Sequence, residues 1–268
     1  MSAQLKPNSA IPINCSPEEW QARVELACCY RAVEHMGWHK DSIYNHISMR
    51  VPGPAVHFLL NPFGLMYQEV TASNLLKVDL NAEKVMPSPY PVFAPGFVVH
   101  ASVHRLREDV KCVIHTHSIP GMAVSAQEQG LLPLTLASMG LSGRVAYYDC
   151  EGVTDDPAEC EHIAAALGTK NALILRNHGL LACGSTVGQA FALMRKLEAS
   201  CEVQVVAQAG GAKLRIPPPE VVAKIAGQAS VSIAKPQLMG ADKNKPARDL
   251  QWEAMQRLME RLDPGFAQ

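Results

Sequence analysis

The chain has 268 residues, 48% of them hydrophobic and 18% charged, and a formal net charge of −1. That is enough apolar material for one large domain, or two at most, and it offers no excess of positive charge for nucleic acid or an anionic membrane surface. No run of about 18 apolar, uncharged residues is present, and the first twenty residues lack the apolar stretch of a signal peptide, so a cytoplasmic protein is expected.

Residues 1–15 read as an irregular arm. Ser16-Pro17-Glu18-Glu19 then forms a capping box with proline at the first helical position, and Trp20, Val24, Ala27, Cys28 and Met36 follow at helical spacing up to Gly37. "YNHISMRV" and "AVHFLLN" read as strands on either side of Pro52-Gly53-Pro54. "NPFGLMY" is a turn, and "TASNLLKVDL" a helical turn followed by a strand.

A helical pattern runs from about Gly96 to Leu106, "CVIHTH" is the next strand, "GMAVSAQEQG" a short helix and "RVAYYD" a strand. Asp156 and Pro157 begin a helix that Gly168 ends, and "ALILRNHG" reads as a strand ending in His178 and Gly179. Thr186 and Gln189 form a second capping box for a long helix, with Val187, Ala190, Phe191, Met194, Leu197, Cys201 and Val205 on its apolar face. Residues 212–268 change character: a Pro-, Lys- and Ala-rich stretch with at most one helix, then an amphipathic helix carrying Trp252, Met255, Leu258 and Leu262. This extension is expected to pack on the domain or on a neighbouring subunit. The alternation of helices and short strands gives an α/β domain over 16–211. No GxGxxG or Walker A motif occurs, and the eight cysteines, none in a CxxC pair, fit reduced thiols.

The chemistry concentrates in the histidines. His35, His39, His57 and His162 have polar neighbours in the sequence and are expected to be exposed. His100 and His104 are four apart on a helix and share a face, as hydrogen-bonding supports or as buried, satisfied rings. His115 and His117 are different: an HxH at the end of an apolar strand projects two imidazoles to one side of a sheet edge. They either pack or bind a metal. The second strand ending, "RNHG", adds His178, and three neutral imidazoles with an open position form the frame of a catalytic divalent metal, Zn²⁺ in the first place.

From about Ser16 to Gly211 the chain resembles the class II aldolase/adducin family, through "YNHIS", "NPFGLMYQEVTASNLLKVDL", "GFVVHASVHRLREDVKCVIHTHSIPGMAVSA", "VAYYDCEG" and "LILRNHGLLACG". The pairing of HTH with NHG about sixty residues later carries most of that likeness, and the longer stretches look most like adducin head domains and their bacterial relatives. The resemblance implies a three-layer α/β/α fold with a central, mostly antiparallel sheet, assembled as a tetramer. It implies that His115, His117 and His178 bind the metal that stabilises an enediolate in the family's sugar-phosphate aldolases and epimerases. It also places Asn45 and Gly64 at the substrate side of the pocket; read from the residues alone, both are equally well turn residues.

One departure is informative. Those enzymes carry Ser-Ser-Glu ahead of the helix, and this chain has Ala94-Pro95-Gly96 there. Neither the hydroxyls that help bind phosphate nor the acid/base carboxylate is present, so cleavage of a phosphate ester by the usual base is not expected. Two functions stay open: a metal-dependent lyase for a small hydroxy- or oxo-compound, with His100, His104 or a metal-bound water moving a proton, or an adducin-like assembly module. Actin or spectrin binding is not implied, because the tail has no long basic run.

Overall fold

The computed structural model describes residues 15–39, 43–149, 151–152, 159–234 and 247–268. The predicted N-terminal arm, apart from Cys15, and the Asp156-Pro157 helix start lie outside them. Helix α1 (Pro17–His35) begins where the sequence places it, with the Ser16 hydroxyl accepting the Glu19 amide N–H at 3.1 Å. The Glu19 carboxylate does not close the predicted capping box. It turns into a buried group with Arg23 (3.0 Å) and Lys77 (2.6 Å) that ties α1 to the sheet.

The remaining elements, in chain order, are β1 (His46–Arg50), β2 (Phe58–Leu60), β3 (Leu76–Val78), α2 (Ala94–Leu106), β4 (Cys112–Thr116), α3 (Ile119–Ser125), α4 (Leu136–Leu141), β5 (Val145–Tyr148), α5 (Glu159–Leu167), β6 (Ala172–Leu175), β7 (Gly179–Gly184), α6 (Val187–Ala209), α7 (Pro219–Ala234) and α8 (Ala247–Leu262). The strands form one sheet in the order β3-β2-β1-β4-β7-β6-β5. Among the described strands, β5 and β6 alone run parallel. Helices cover both faces, which is the layered α/β architecture expected. Cys112 and Ile114 point into the core shared with α1 and α6, while Val113 points into the core under α2 and α5. Being covered on both sides, β4 reads as an unbroken apolar run.

Several boundaries differ from the expectation. β6 ends at Leu175, and His178 sits in the tight turn into β7 rather than in a strand. Asn177 makes that turn with φ 57, a left-handed conformation that asparagine tolerates. α2 begins at Ala94 because Pro95 suits a first helical turn, so Ala94-Pro95-Gly96 is helix rather than approach. α4 has too few turns to show a periodic pattern; Thr135 caps it by accepting the Ser138 N–H at 3.1 Å. His39 is buried, not exposed: its ring stacks on Tyr67 at 4.4 Å and pairs with Glu34 at 2.6 Å.

The C-terminal extension packs on its own chain. Trp252 of α8 lies against Phe191 at 5.2 Å and donates its indole N–H to Glu25 at 3.0 Å. The last residues continue onto the domain, with the Ala72 and Ser73 N–H groups donating to the Phe266 and Gln268 carbonyls at 2.9 and 2.8 Å. Leu262, assigned to the buried face from the pattern, is 58% exposed; Met259 is buried instead. The described cysteines are free and buried. No helix among the described residues is long and apolar enough to cross a membrane.

Candidate metal centre

Strand alternation sets the site. At the end of β4, His115 faces the α2 side of the sheet and Thr116 the α6 side, and His117 follows just past the strand. The β6–β7 turn brings His178 to the same place. The His115 Nε2 lies 2.9 Å from the His117 Nε2 and 3.3 Å from the His178 Nε2, and the three ring centroids are 4.6 to 4.9 Å apart. His115 is buried; His117 and His178 are half-buried and leave the cluster open on one side.

The donor set fits a divalent ion. Nitrogens bound to a tetrahedral ion at about 2.0–2.1 Å lie roughly 3.3–3.4 Å from one another. The His115–His178 spacing of 3.3 Å matches, and the His115–His117 spacing of 2.9 Å is shorter, so that pair would have to open to admit an ion. The His115 Nδ1 faces the Leu180 carbonyl at 2.9 Å, so Nδ1 carries the hydrogen and Nε2 offers its lone pair. Burial first, then the neighbouring imidazoles, holds His115 well below the ordinary histidine range. The same causes lower His117 to about 4, and burial lowers His178. All three are therefore neutral imidazoles at neutral pH, the form that could bind a metal.

The backbone around them is held from several directions. The Asn45 side-chain oxygen accepts the His117 N–H at 2.9 Å, and its amide donates to the His39 carbonyl at 3.0 Å. Asn45, expected at the substrate side, is fully buried with both polar atoms engaged. On the other face, Glu198 of α6 accepts hydrogen bonds from Thr116 (2.6 Å) and Ser118 (2.5 Å). Burial pushes the Glu198 carboxyl up to about 7, against the lowering effect of those hydroxyls. Gly179 admits no side chain, because a Cβ would collide with the Thr116 carbonyl and the His117 ring.

The sequence profile described as "Class II Aldolase and Adducin N-terminal domain" matches residues 24–205. The chain belongs to the class II aldolase and adducin family. Among solved structures, an aldolase II superfamily protein from Pseudomonas syringae is 42% identical with a TM-score of 0.87, covering 97% of this chain and 100% of that one. The L-fuculose 1-phosphate aldolase of Glaciozyma antarctica is 27% identical with a TM-score of 0.75, covering 98% and 97%. Rat alpha-adducin is 44% identical over 194 residues, which are 70% of this chain and 26% of that protein.

The remaining candidates occupy other places in the family fold. Gly64 is an exposed turn residue with φ 101 and open space around a notional Cβ, so its need for glycine is conformational. His100 and His104 are buried behind the cluster, both on the Ser48 hydroxyl, at 2.6 Å (His100 Nδ1) and 2.8 Å (His104 Nε2). His104 also stacks on Phe58 at 4.9 Å. Burial takes His100 well below the usual range and His104 to about 3.

Two residues escaped the sequence reading, His46 and Glu198. For Glu198 a signal existed: a carboxylate four residues after Met194, on the buried stripe of α6. A cavity of about 750 Å³ lined by Trp38, Arg144, Lys196 and Arg248 opens elsewhere and contains none of the clustered histidines.

Proposed function

We propose that the protein is a divalent-metal-dependent lyase of aldolase or decarboxylase type, acting on a small hydroxy- or oxo-compound. The convergence of the His115, His117 and His178 Nε2 atoms carries the reading. A divalent ion held there, Zn²⁺ in the first place, would supply Lewis acidity toward a carbonyl oxygen. The chain's own residues hold that frame: Leu180 orients the His115 ring, Asn45 fixes the His117 backbone, and Gly179 lets the His178 turn close on the strand. His100 and His104 act as supports behind the site, since both rings are buried against Ser48.

The decarboxylase option has a chemical basis. Loss of CO₂ starts without a base, so it tolerates Gly96 better than an aldol step does. The adducin likeness favours a second reading, an assembly module. A scaffold has no physical need for three converging imidazoles, and this argues for the enzyme. Metal analysis after loading with Zn²⁺, followed by a screen of hydroxy acids, oxo acids and aldol substrates, tests it. One ion per chain and turnover in that screen is the expected result; one ion and no turnover across the screen favours the assembly module.

The family resemblance further supports a homotetramer. The α8 face is already covered by the chain itself, so that helix adds nothing to the assembly argument. Light scattering at micromolar concentration is expected to give a multiple of 29.0 kDa. A mass of one chain, unchanged on concentration, refutes the oligomer.

A further inference from the structure

The residue at position 96 leaves a question open: what polar group faces the cluster where the sequence supplies only glycine. The answer lies on a different element. A Cβ built on Gly96 would fall inside the imidazole of His46, so the His46 ring occupies the space a side chain at 96 would enter. The ring reaches it from β1, where His46 stands directly opposite His115 in the antiparallel ladder. Residues so paired project to the same face with Cβ atoms about 4.5–5.5 Å apart. His46 is therefore a neighbour of the metal-type histidines without being one of them: its ring nitrogens are not in the group that lies within 4.8 Å.

The two nitrogens of His46 have different surroundings. In the orientation the Asn61 amide has here, its oxygen lies 2.8 Å from Nδ1, which assigns the hydrogen to Nδ1 and the lone pair to Nε2; exchange of the Asn61 oxygen and nitrogen would reverse that assignment. Nε2 is the atom beside Gly96, is buried, and has no hydrogen-bond partner. A buried acceptor without a partner is costly, and such a group calls for an explanation in a ligand it meets. Phe93 stacks on the ring at 5.6 Å and His100 meets it edge-on at 6.2 Å, so the ring is held in place.

We propose that His46 is the ligand-facing acceptor of this site, its Nε2 accepting a hydrogen bond from a hydroxyl of a small hydroxy-carbonyl compound held at the histidine cluster. The proposal rests on the reading of that cluster as a metal site. It gives the departure at Gly96 a physical meaning: the polar group has moved from α2 to β1, and a neutral imidazole replaces an anionic carboxylate. A small residue at 96 is then a requirement of the imidazole.

Two hydroxamates that differ by one hydroxyl test this. Calorimetric binding of acetohydroxamate and glycolohydroxamate to the zinc-loaded protein should favour glycolohydroxamate by at least tenfold. In His46→Leu, and in His46→Gln as a second variant should the first fail to fold, that preference should fall below twofold. Zinc content and acetohydroxamate affinity should stay unchanged. A preference that is absent in the wild type, or equal in wild type and variant, overturns the proposal; so does loss of zinc, which would make His46 a ligand. Failure of acetohydroxamate to bind the zinc-loaded wild type strikes instead at the metal reading, and the proposal falls with it. Independently of any metal, ¹⁵N NMR of the metal-free protein should show His46 protonated at Nδ1 and bare at Nε2. A hydrogen on Nε2 overturns it.

Discussion

His115, His117 and His178 bring three Nε2 atoms to one point at the rim of the sheet, and two of the three rings are half-buried. His46, His100 and His104 lie deeper on the same face, tied to Asn61 and Ser48. The residue type and the sheet face are the same in both groups. What separates them is where the ring nitrogens go. The first group converges on a shared point at half-buried rings, while in the second each ring has one nitrogen held by a side chain, Asn61 or Ser48, and the other buried without a partner. Numbers of histidines therefore say little about a site, and the destination of each ring nitrogen says much.

The comparison breaks most sharply at the metal. His115→Ala should reduce bound Zn²⁺ from one per chain to below about one-tenth, because two imidazoles alone hold a divalent ion poorly. His104→Ala should leave one ion per chain. Metal analysis after desalting checks both, and equal metal content in the two variants would erase the distinction.

Next comes stability. His104→Ala removes a buried ring from Phe58 and leaves the Ser48 hydroxyl with one partner fewer. A loss of about 2–4 kcal/mol in denaturant unfolding is expected.

Acidity sharpens the contrast further. The His104 pKa lies at about 3 in the folded chain against 6.5 as the ordinary value, so its contribution is present above pH 6.5 and is lost as pH falls toward 3. At pH 5 that loss is about 2 kcal/mol, and His104→Phe should flatten this limb of the stability curve. Glu198 has the opposite sign. Its folded pKa is raised to about 7 from 4.5, so the folded state retains its proton longer and stability falls as pH rises between those values. Glu198→Gln should therefore gain on the wild type between pH 4.5 and 8, by on the order of 2 kcal/mol.

The smallest effect concerns phosphate. The start of α2 offers Ala94 and Pro95 in place of two hydroxyls, each worth about 0.5–1.5 kcal/mol as a hydrogen bond. Sugar phosphates should bind the zinc-loaded protein less than tenfold more tightly than their unphosphorylated analogues. A hundredfold advantage in calorimetry would contradict this.

The fold was legible where the chain repeats a physical period. The HxH alternation at the end of an apolar run places His115 and His117 together, "RNHG" offers His178 as a third imidazole, and the family likeness implies that the three meet. His178 was assigned to a strand because "ALILRNHG" does not reveal that Asn177 turns the chain over. His46 was not legible, since a histidine in "YNHIS" resembles any strand residue. Its meaning depends on Gly96, fifty residues away, and on a shared volume that no local pattern encodes. Asn45, expected at the substrate side, spends its side-chain amide on His117 and His39 in the structure. His100 and His104 share a face as their spacing predicts, yet spacing could not show that one nitrogen of each ring meets the Ser48 hydroxyl.

The Glu198 clamp has a consequence for how this site can change over generations. Only the thickness of one strand separates α6 from the histidines, and Thr116 spans it, with a metal-type histidine on either side in sequence. A substitution in α6 that loosens this grip would alter the spacing of the imidazoles while every residue around the ligand stayed the same. The wall of the site is thus two layers deep, and its outer layer is a helix on the far side of the sheet. Variants with altered metal preference should arise there as readily as in the pocket itself, and a search confined to residues near the ligand would pass them by.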